Sequence, residues 1–426
     1  MIRFPADRAV NSLCQGVNRL LAIVIFFGVF VAESQAGDWP QILGPARNGV
    51  ALDESLATTF PANGPQIMWE HKVGEGYSGA AVAEGRVVVF HRVGEQELAE
   101  GLDAKTGNRI WVKEFPATYS GGYNSDHGPR CVPVIHKGSV FLFGAAGDLH
   151  CLELKSGKMR WSRPVGREFE IPESFFGVGS TPLVEGDKLL VNVGGKQGSG
   201  IVAFALADGK TIWKATDEKA SYSSPIAVTV DGVRHVIFVT RLTALSIDPE
   251  KGKVHWQFPF GARGPTVNAA TPQVIDGYLF LTASYGIGAV CRKIDKTSTN
   301  EVWANNDTMS SQFSTSVPHN ELFYGVDGRQ DGPLGRLRCF DPKTGKVHWT
   351  KSEFPMSNLI VADGRLLIVT DDGQLIVAAA SPKGYRELAR AQLWTSTTRA
   401  LPALSNGLLY VRDASKLTCI DLRRND

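Results

Sequence analysis

The side chains best suited to chemistry in this sequence are polar and aromatic groups standing where apolar ones would serve. One stretch, Tyr119-Ser-Gly-Gly-Tyr-Asn-Ser-Asp-His-Gly-Pro-Arg130, gathers a phenol, the imidazole of His127 and a guanidinium in a run too rich in turn residues to be a strand. Tyr222, Asn268, Tyr285 and Gln312 stand in or near short clusters of small residues: Gly179-Ser-Thr-Pro182, Tyr222-Ser-Ser-Pro225, Ala270-Thr-Pro272 and Phe313-Ser-Thr-Ser316. A further cluster, Thr395-Ser-Thr-Thr-Arg399, ends on a second guanidinium. Several hydrogen-bond donors together with Arg130 and Arg399 suit a carboxylate-bearing or polar ligand, because the guanidinium fork matches a carboxylate. The Ser and Thr also have a plainer use: small side chains fit a crowded axis and bind water there. The catalytic residues of an enzyme are not assigned by any spacing in the chain.

Metal and thiol chemistry is poorly encoded. His-Glu-x-x-His, Cys-x-x-Cys and Cys-x-x-Cys-His are all absent from the sequence. The loop Asp327-Gly-Arg-Gln-Asp331-Gly332 lacks the acidic spacing and closing Glu of a calcium loop. Beyond residue 36 the cysteines are Cys131, Cys151, Cys291, Cys339 and Cys419, an odd number at wide spacings and not a disulfide framework. Cys151, Cys339 and Cys419 share one repeat position that Gly101, Ala203 and Ser246 fill elsewhere, which predicts a tight slot holding buried thiols. Cys131, beside Arg130, is the best candidate for a reactive thiol. His255 and His348 share another repeat position and read as half-exposed strand residues.

The tryptophans describe the scaffold that must hold these groups. Eight of the nine recur as Trp69, Trp111, Trp161, Trp213, Trp256, Trp303, Trp349 and Trp394, a spacing of about 46 residues. Gly107-Asn-Arg-Ile-Trp111, Gly157-Lys-Met-Arg-Trp161, Gly209-Lys-Thr-Ile-Trp213, Gly252-Lys-Val-His-Trp256 and Gly345-Lys-Val-His-Trp349 share one frame; Thr299 and Arg390 replace the Gly in two degenerate repeats. Each unit holds short aliphatic runs broken by Gly-containing turns, which predicts four antiparallel strands. Strand sets fall at 78–115, 132–165, 179–215, 223–259, 269–304, 314–351 and 358–395. The segment 401–422 supplies only three strands, and Gln66–Val73 is the missing fourth. One such sheet cannot bury both faces, but eight packed radially can. The expected fold is all-β: an eight-bladed β-propeller of four-stranded antiparallel blades, the last closed by the N-terminal strand. Tyr385–Trp394 has helix-forming composition, but its place in the repeat makes it an outer strand. The Trp rings then wedge between blades, and the hydroxylated clusters ring the mouth of the central channel.

Composition supports this and excludes other classes. Gly is 45 of 426 residues, well above the roughly 7% average, as a turn-rich fold requires. Lys and Arg number 45 against 43 Asp and Glu, a formal charge of +2, so no basic excess exists to neutralise nucleic-acid phosphates. With 43% hydrophobic residues the chain can bury a large core. At the N-terminus, Arg3, Arg8 and Arg19 precede the apolar run Leu20–Ala32, and Ser34-Gln-Ala36 resembles a cleavage site. That pattern predicts a secretory signal peptide over 1–36, since the run is too short to span a bilayer. Its removal takes three Arg and two acids, leaving a formal charge of +1. A lead-in over 37–65 and a propeller over 66–426 follow. The mature protein is expected to be exported or periplasmic, soluble and monomeric. With no Cys after the apolar run, it is not expected to be a lipoprotein.

Units such as Leu149-His-Cys-Leu-Glu-Leu-Lys-Ser-Gly-Lys-Met-Arg-Trp161 resemble the repeats of the pyrroloquinoline quinone (PQQ) propellers, whose Gly-x-x-x-Trp is a tryptophan-docking motif. The resemblance covers about 66–422, and 38–50 is similar to the lead-in of exported members. It implies one of two functions. BamB-like members are binding scaffolds in outer-membrane protein assembly, typically lipoproteins. The quinoprotein dehydrogenases oxidise alcohols or sugars with PQQ and calcium, using a vicinal Cys-Cys pair, a catalytic Asp and calcium-binding acids. This chain has no Cys-Cys, and those acids find no match by motif. The favoured reading is a scaffold for a cell-envelope protein or a small polar ligand, with no cofactor firmly implied. A PQQ- and calcium-dependent oxidoreductase is the alternative.

Overall fold

Short β-branched runs and tight turns set the local structure. In a computed structural model, which describes residues 37–121, 123, 125–172, 176–264 and 266–424, nearly every ordered segment is a strand. The signal-peptide expectation lies outside the described residues. In seven of the eight blades the first and second strands are joined by two-residue turns with both φ positive, as at Asp276-Gly277 (49° and 74°); in the third blade only Gly186 of the turn is positive. The doubly positive turn is the hairpin turn whose twist matches the flanking strands.

Eight sheets result. Their innermost strands are Ala81–Ala83 (blade 1), Val134–His136 (2), Leu183–Glu185 (3), Ile226–Val230 (4), Gln273–Ile275 (5), Val317–His319 (6), Ser357–Ala362 (7) and Ala403–Ser405 (8). Strands two and three are almost wholly buried, whereas outer strands such as Arg109–Pro116 alternate between solvent and core. Closure is as the sequence predicts. Gln66–Lys72 pairs antiparallel with Lys416–Asp421, bringing Trp69 opposite Cys419. The Tyr385–Trp394 segment supplies the outer strand Glu387–Gln392 of blade 7.

The Trp device is visible atom by atom. Trp111 Nε1 donates to Leu154 O in the next blade (2.8 Å), and Trp161 to Leu206 O (2.9 Å). Trp69, Trp213, Trp303 and Trp349 do the same to Ala104, Pro249, Pro342 and Ser381. Gly107 at φ +71° lies on the Trp69 ring; a Cβ there would meet it at 2.6 Å. Trp256 faces the repeat in which Thr299 replaces the Gly, and its buried Nε1 has no partner. Trp394 departs from the expected series. It lies beyond the end of its strand, buried, and donates to Thr418 Oγ1 (3.2 Å). Ala389, opposite Val377, holds the repeat position instead.

The shared slot lies directly across from each Trp. Cys151, Cys291, Cys339 and Cys419 fill it in four blades. Burial pushes the thiols of Cys151 and Cys339 up to about 11 and those of Cys291 and Cys419 up to about 12. Cys131 is also buried, its Sγ 3.3 Å from Ser180 O, and burial pushes its thiol up as well. The best candidate for a reactive thiol is therefore a packed one, because nucleophilicity needs an accessible thiolate.

The lead-in threads the ring. Trp39, 2% exposed, exchanges backbone hydrogen bonds with Val82 of blade 1 (2.7 and 2.8 Å), and Ile135 N of blade 2 donates to Pro40 O (2.8 Å). Arg47, also 2% exposed, donates to Thr181 O (3.3 Å) and Pro182 O of blade 3 and to Pro225 O of blade 4 (2.9 Å). Its own carbonyl accepts from Gln273 Nε2 of blade 5 (3.2 Å). Gly49 packs on Val317 of blade 6, and Val50–Ala51 adds a fifth, parallel strand to blade 7. These few residues touch the inner strands of seven blades in turn, so they fill the axis.

Candidate functional site

The hydroxylated clusters tie one blade to the next. Thr181 Oγ1 accepts from Val132 N (3.0 Å), and Ser180 Oγ donates to Ser223 O (2.8 Å). Ser223 Oγ donates to Ala270 O (2.8 Å), and Thr315 Oγ1 accepts from Thr271 N (2.9 Å). These bonds satisfy buried backbone where inner strands of different blades meet, groups that would otherwise be costly to leave without partners.

Above them lies a cavity of about 230 Å³. Its walls include Tyr77, Arg130, Gly179, Tyr222, Thr271, Gln312, Asn358 and Arg399. Those eight come from the starts of all eight blades in order, so the cavity sits on the axis. Ile42 of the lead-in closes it from below. The space is a blind cup.

Two guanidiniums flank one ring. The Arg130 and Arg399 carbons lie 5.4 and 5.2 Å from the Tyr77 centroid, within cation–π range. Arg399 also donates to the Tyr77 hydroxyl (3.2 Å), while its buried Nε has no partner. Arg130 is held by the carbonyls of Asp126 (2.7 Å) and Gly128 and by the Asp126 carboxylate at 3.5 Å. Asn358, 2% exposed, spends its Nδ2 on Arg399 O (3.0 Å) and leaves Oδ1 unpartnered. Arg47 adds a third cation within the axis; burial lowers its pKa to about 9 without neutralising it at pH 7.

A second cavity of about 720 Å³ opens over blades 3 and 4. It shares Gly179, Tyr222 and Val267 with the cup, so the two lie side by side. Lys219, Arg241 and Arg263 line it beside Tyr123, Ile171, Val178 and Leu242. Lys219 and Arg263 are exposed, whereas Arg241 is bonded to Ala262 O (2.8 Å) and Gly264 O (2.5 Å). Among the described residues, no carboxylate lines either cavity.

Of the residues expected at the mouth, Arg130, Tyr222, Gln312 and Arg399 come together around the cup. Tyr285 stands one step back: its hydroxyl accepts from Gln312 Nε2 (2.7 Å) and Arg329 covers its ring at 5.0 Å. Tyr119 and His127 pair edge to face at 6.1 Å on the loop joining blades 1 and 2, outside both linings. Asn268 is buried, its amide donating to Thr240 O (2.9 Å) and Phe260 O (3.2 Å), so it anchors a turn. Tyr77, Asn358, Lys219 and Arg263 were not expected. Tyr77 had a signal: Tyr77-Ser78 repeats Tyr222-Ser223, and both pairs of amides converge on one carbonyl, Pro129 O or Asn268 O.

Calcium at this site would need carboxylates against the cup. The described lining offers none, and no group of three or more His, Cys, Asp or Glu among the described residues could hold a metal. Asp327, the acid nearest a calcium motif, is buried against Arg336 (2.6 Å) and Arg338 (3.2 Å). Among the described residues, no helix is long and apolar enough to cross a membrane.

Comparison with known proteins agrees with this architecture. BamB of Moranella endobia, an outer membrane protein assembly factor, is 22% identical over 331 residues, 72% of this chain and 78% of that protein. The crystal structure of BamB from Moraxella catarrhalis matches 84% of this chain and 99% of its own, with TM-score 0.61 and 16% identity. The quinohemoprotein alcohol dehydrogenase of Comamonas testosteroni matches 92% of this chain and 81% of its own, with TM-score 0.65 and 15% identity, a likeness of fold alone. The family model described as outer membrane protein assembly factor BamB matches residues 53–169, 95–351 and 330–424, and the chain belongs to that family.

Proposed function

We propose that this protein is an exported, BamB-like scaffold of the cell envelope that binds a protein partner at the mouth of its propeller. One observation carries the reading: a cup built by all eight blades beside a broader cleft that shares part of its wall. The relatives named as outer membrane protein assembly factors make a component of that assembly the natural partner. A rigid ring that projects loops from one face can hold a recognition surface. The quinoprotein reading has support in the shared fold and in two arginines around an aromatic ring. It is the weaker reading, because the described lining lacks the carboxylates that calcium would need, and no step of that chemistry is assigned to residues here.

Photocrosslinking tests the scaffold reading. A photoreactive side chain at position 263, on the mouth, should trap a discrete envelope protein that mass spectrometry identifies as an assembly component. The same group at position 251, in a turn on the opposite face, should not. Equal trapping at both positions, or none at 263, would sink the proposal.

A further inference from the structure

Resting on that scaffold reading, we infer that the mouth recognises an acidic, extended segment of the partner protein, laid along the cleft with one carboxylate in the cup. Three observations converge. The first is charge. Lys219, Arg241 and Arg263 line the cleft and Arg130 and Arg399 line the cup, with no carboxylate among the described lining residues. The whole chain carries a formal charge of only +2, so a lining with cations and no described carboxylate does not follow from a basic composition. Clefts lined by one sign of charge focus the field and draw in the opposite charge.

The second observation is hydrogen-bond complementarity at the cup. Arg399 holds a buried Nε–H without an acceptor, and Asn358 holds a buried Oδ1 without a donor. Both side chains line the cup, and an occupant that offers a carboxylate and an N–H answers both once these side chains turn toward it. An Asp or Glu residue within a peptide has that pair: its side chain accepts and its backbone donates. Buried polar groups of this kind cost free energy until they are partnered.

The third is shape. The cup alone would hold a small anion, but across Gly179, Tyr222 and Val267 it adjoins a cleft about three times its volume. The cleft adds Tyr123, Ile171, Pro172, Val178 and Leu242, apolar and aromatic surface that a free dicarboxylate could not use. A peptide with acidic residues interrupted by apolar ones fits both parts.

The test uses the purified protein and a fluorescein-labelled twelve-residue peptide of alternating Glu and Gly with one central Phe. Fluorescence anisotropy should show saturable binding that weakens between 20 and 200 mM salt. The peptide with Gln in place of Glu should bind at least tenfold more weakly. Lys219→Glu with Arg263→Glu should weaken the acidic peptide at least tenfold; both side chains are exposed, so the fold should survive, as thermal unfolding would verify. Arg399→Gln should act in the same direction, and Lys251→Glu on the opposite face should change nothing. Equal affinity for the Glu and Gln peptides, or full affinity in the mouth variants, would overturn the proposal. So would direct binding of succinate or of anionic phospholipid vesicles without peptide binding, which would assign the face to a small anion or a membrane. If the peptide fails while the crosslink from position 263 persists, the scaffold reading stands and the acidic-segment inference falls.

Discussion

Glu97 shows how this fold tunes a single residue. It is 4% exposed, its Oε1 accepts from Ala145 N (2.8 Å), and burial pushes its carboxyl up to about 7. An acid raised in the folded state stabilises the fold fully only below its unfolded value of 4.5, and that contribution is lost as pH rises toward about 7. Glu97→Gln keeps the acceptor and removes the titration. It should match the wild type near pH 4 and exceed it at pH 8, by up to about 3 kcal/mol from the linkage relation. Urea unfolding at the two pH values checks this; a variant less stable at pH 8 would contradict it. At the mouth, the same scale separates what could be read from the chain from what could not. Arg130, Tyr222, Gln312 and Arg399 stood out as large polar groups at blade starts. Asn268 stood out equally, yet backbone carbonyls consume its amide. Lys219 and Arg263 look like any surface cation until the cleft is folded around them.

The repeating elements were more legible, because each obeys one local rule many times over. Trp and the Gly of the next blade form a joint, which loses its hydrogen bond where Thr299 replaces the Gly but keeps it at Trp349, whose neighbouring blade also lacks the Gly. Trp161 makes its inter-blade hydrogen bond, and Trp256 has none. Trp161→Phe should therefore cost about 1 kcal/mol more than Trp256→Phe, the worth of a net hydrogen bond, measured by urea denaturation. Equal losses would show that ring packing alone matters. Trp394 had the spacing of the series but not its geometry, since spacing does not register where a strand ends. The lead-in was the least legible element. Its motif resembles the lead-in of exported propellers, while its role as axial filler rests on contacts between Arg47 and residues 134 to 226 positions away in sequence. Arg47→Ala would strip partners from buried carbonyls and leave a void, costing on the order of 2–4 kcal/mol by analogy with buried polar and cavity losses. A loss under about 0.5 kcal/mol, the size of a neutral surface change, would show that the axis tolerates water instead.

At the scale of the whole molecule, blade number and closure followed from counting strands: seven complete sets, one set of three, and one orphan strand at the other end. The orphan strand does more than pair. His71 Nε2 lies 2.6 Å from the Glu100 carboxylate of blade 1, which Arg109 (2.9 Å) and His91 (3.2 Å) also hold. Arg412 of blade 8, buried, donates to Ser78 O (3.1 Å) and Phe90 O (3.2 Å) of blade 1. Polar ties thus reinforce the seam where the ring closes. A closed ring fixes eight loop starts around one axis, and that rigidity is what lets scattered side chains act as one surface. Function was less legible than fold, because one scaffold serves assembly factors and dehydrogenases alike. The central claim is that the partner binds the cationic mouth. The direct measurement is the affinity of the crosslinked partner, once purified, for the wild type, for Lys219→Glu with Arg263→Glu, and for Lys251→Glu. The mouth variant should bind at least tenfold more weakly and the opposite-face variant equally well; unchanged affinity in the mouth variant, or a loss confined to Lys251→Glu, would contradict the claim.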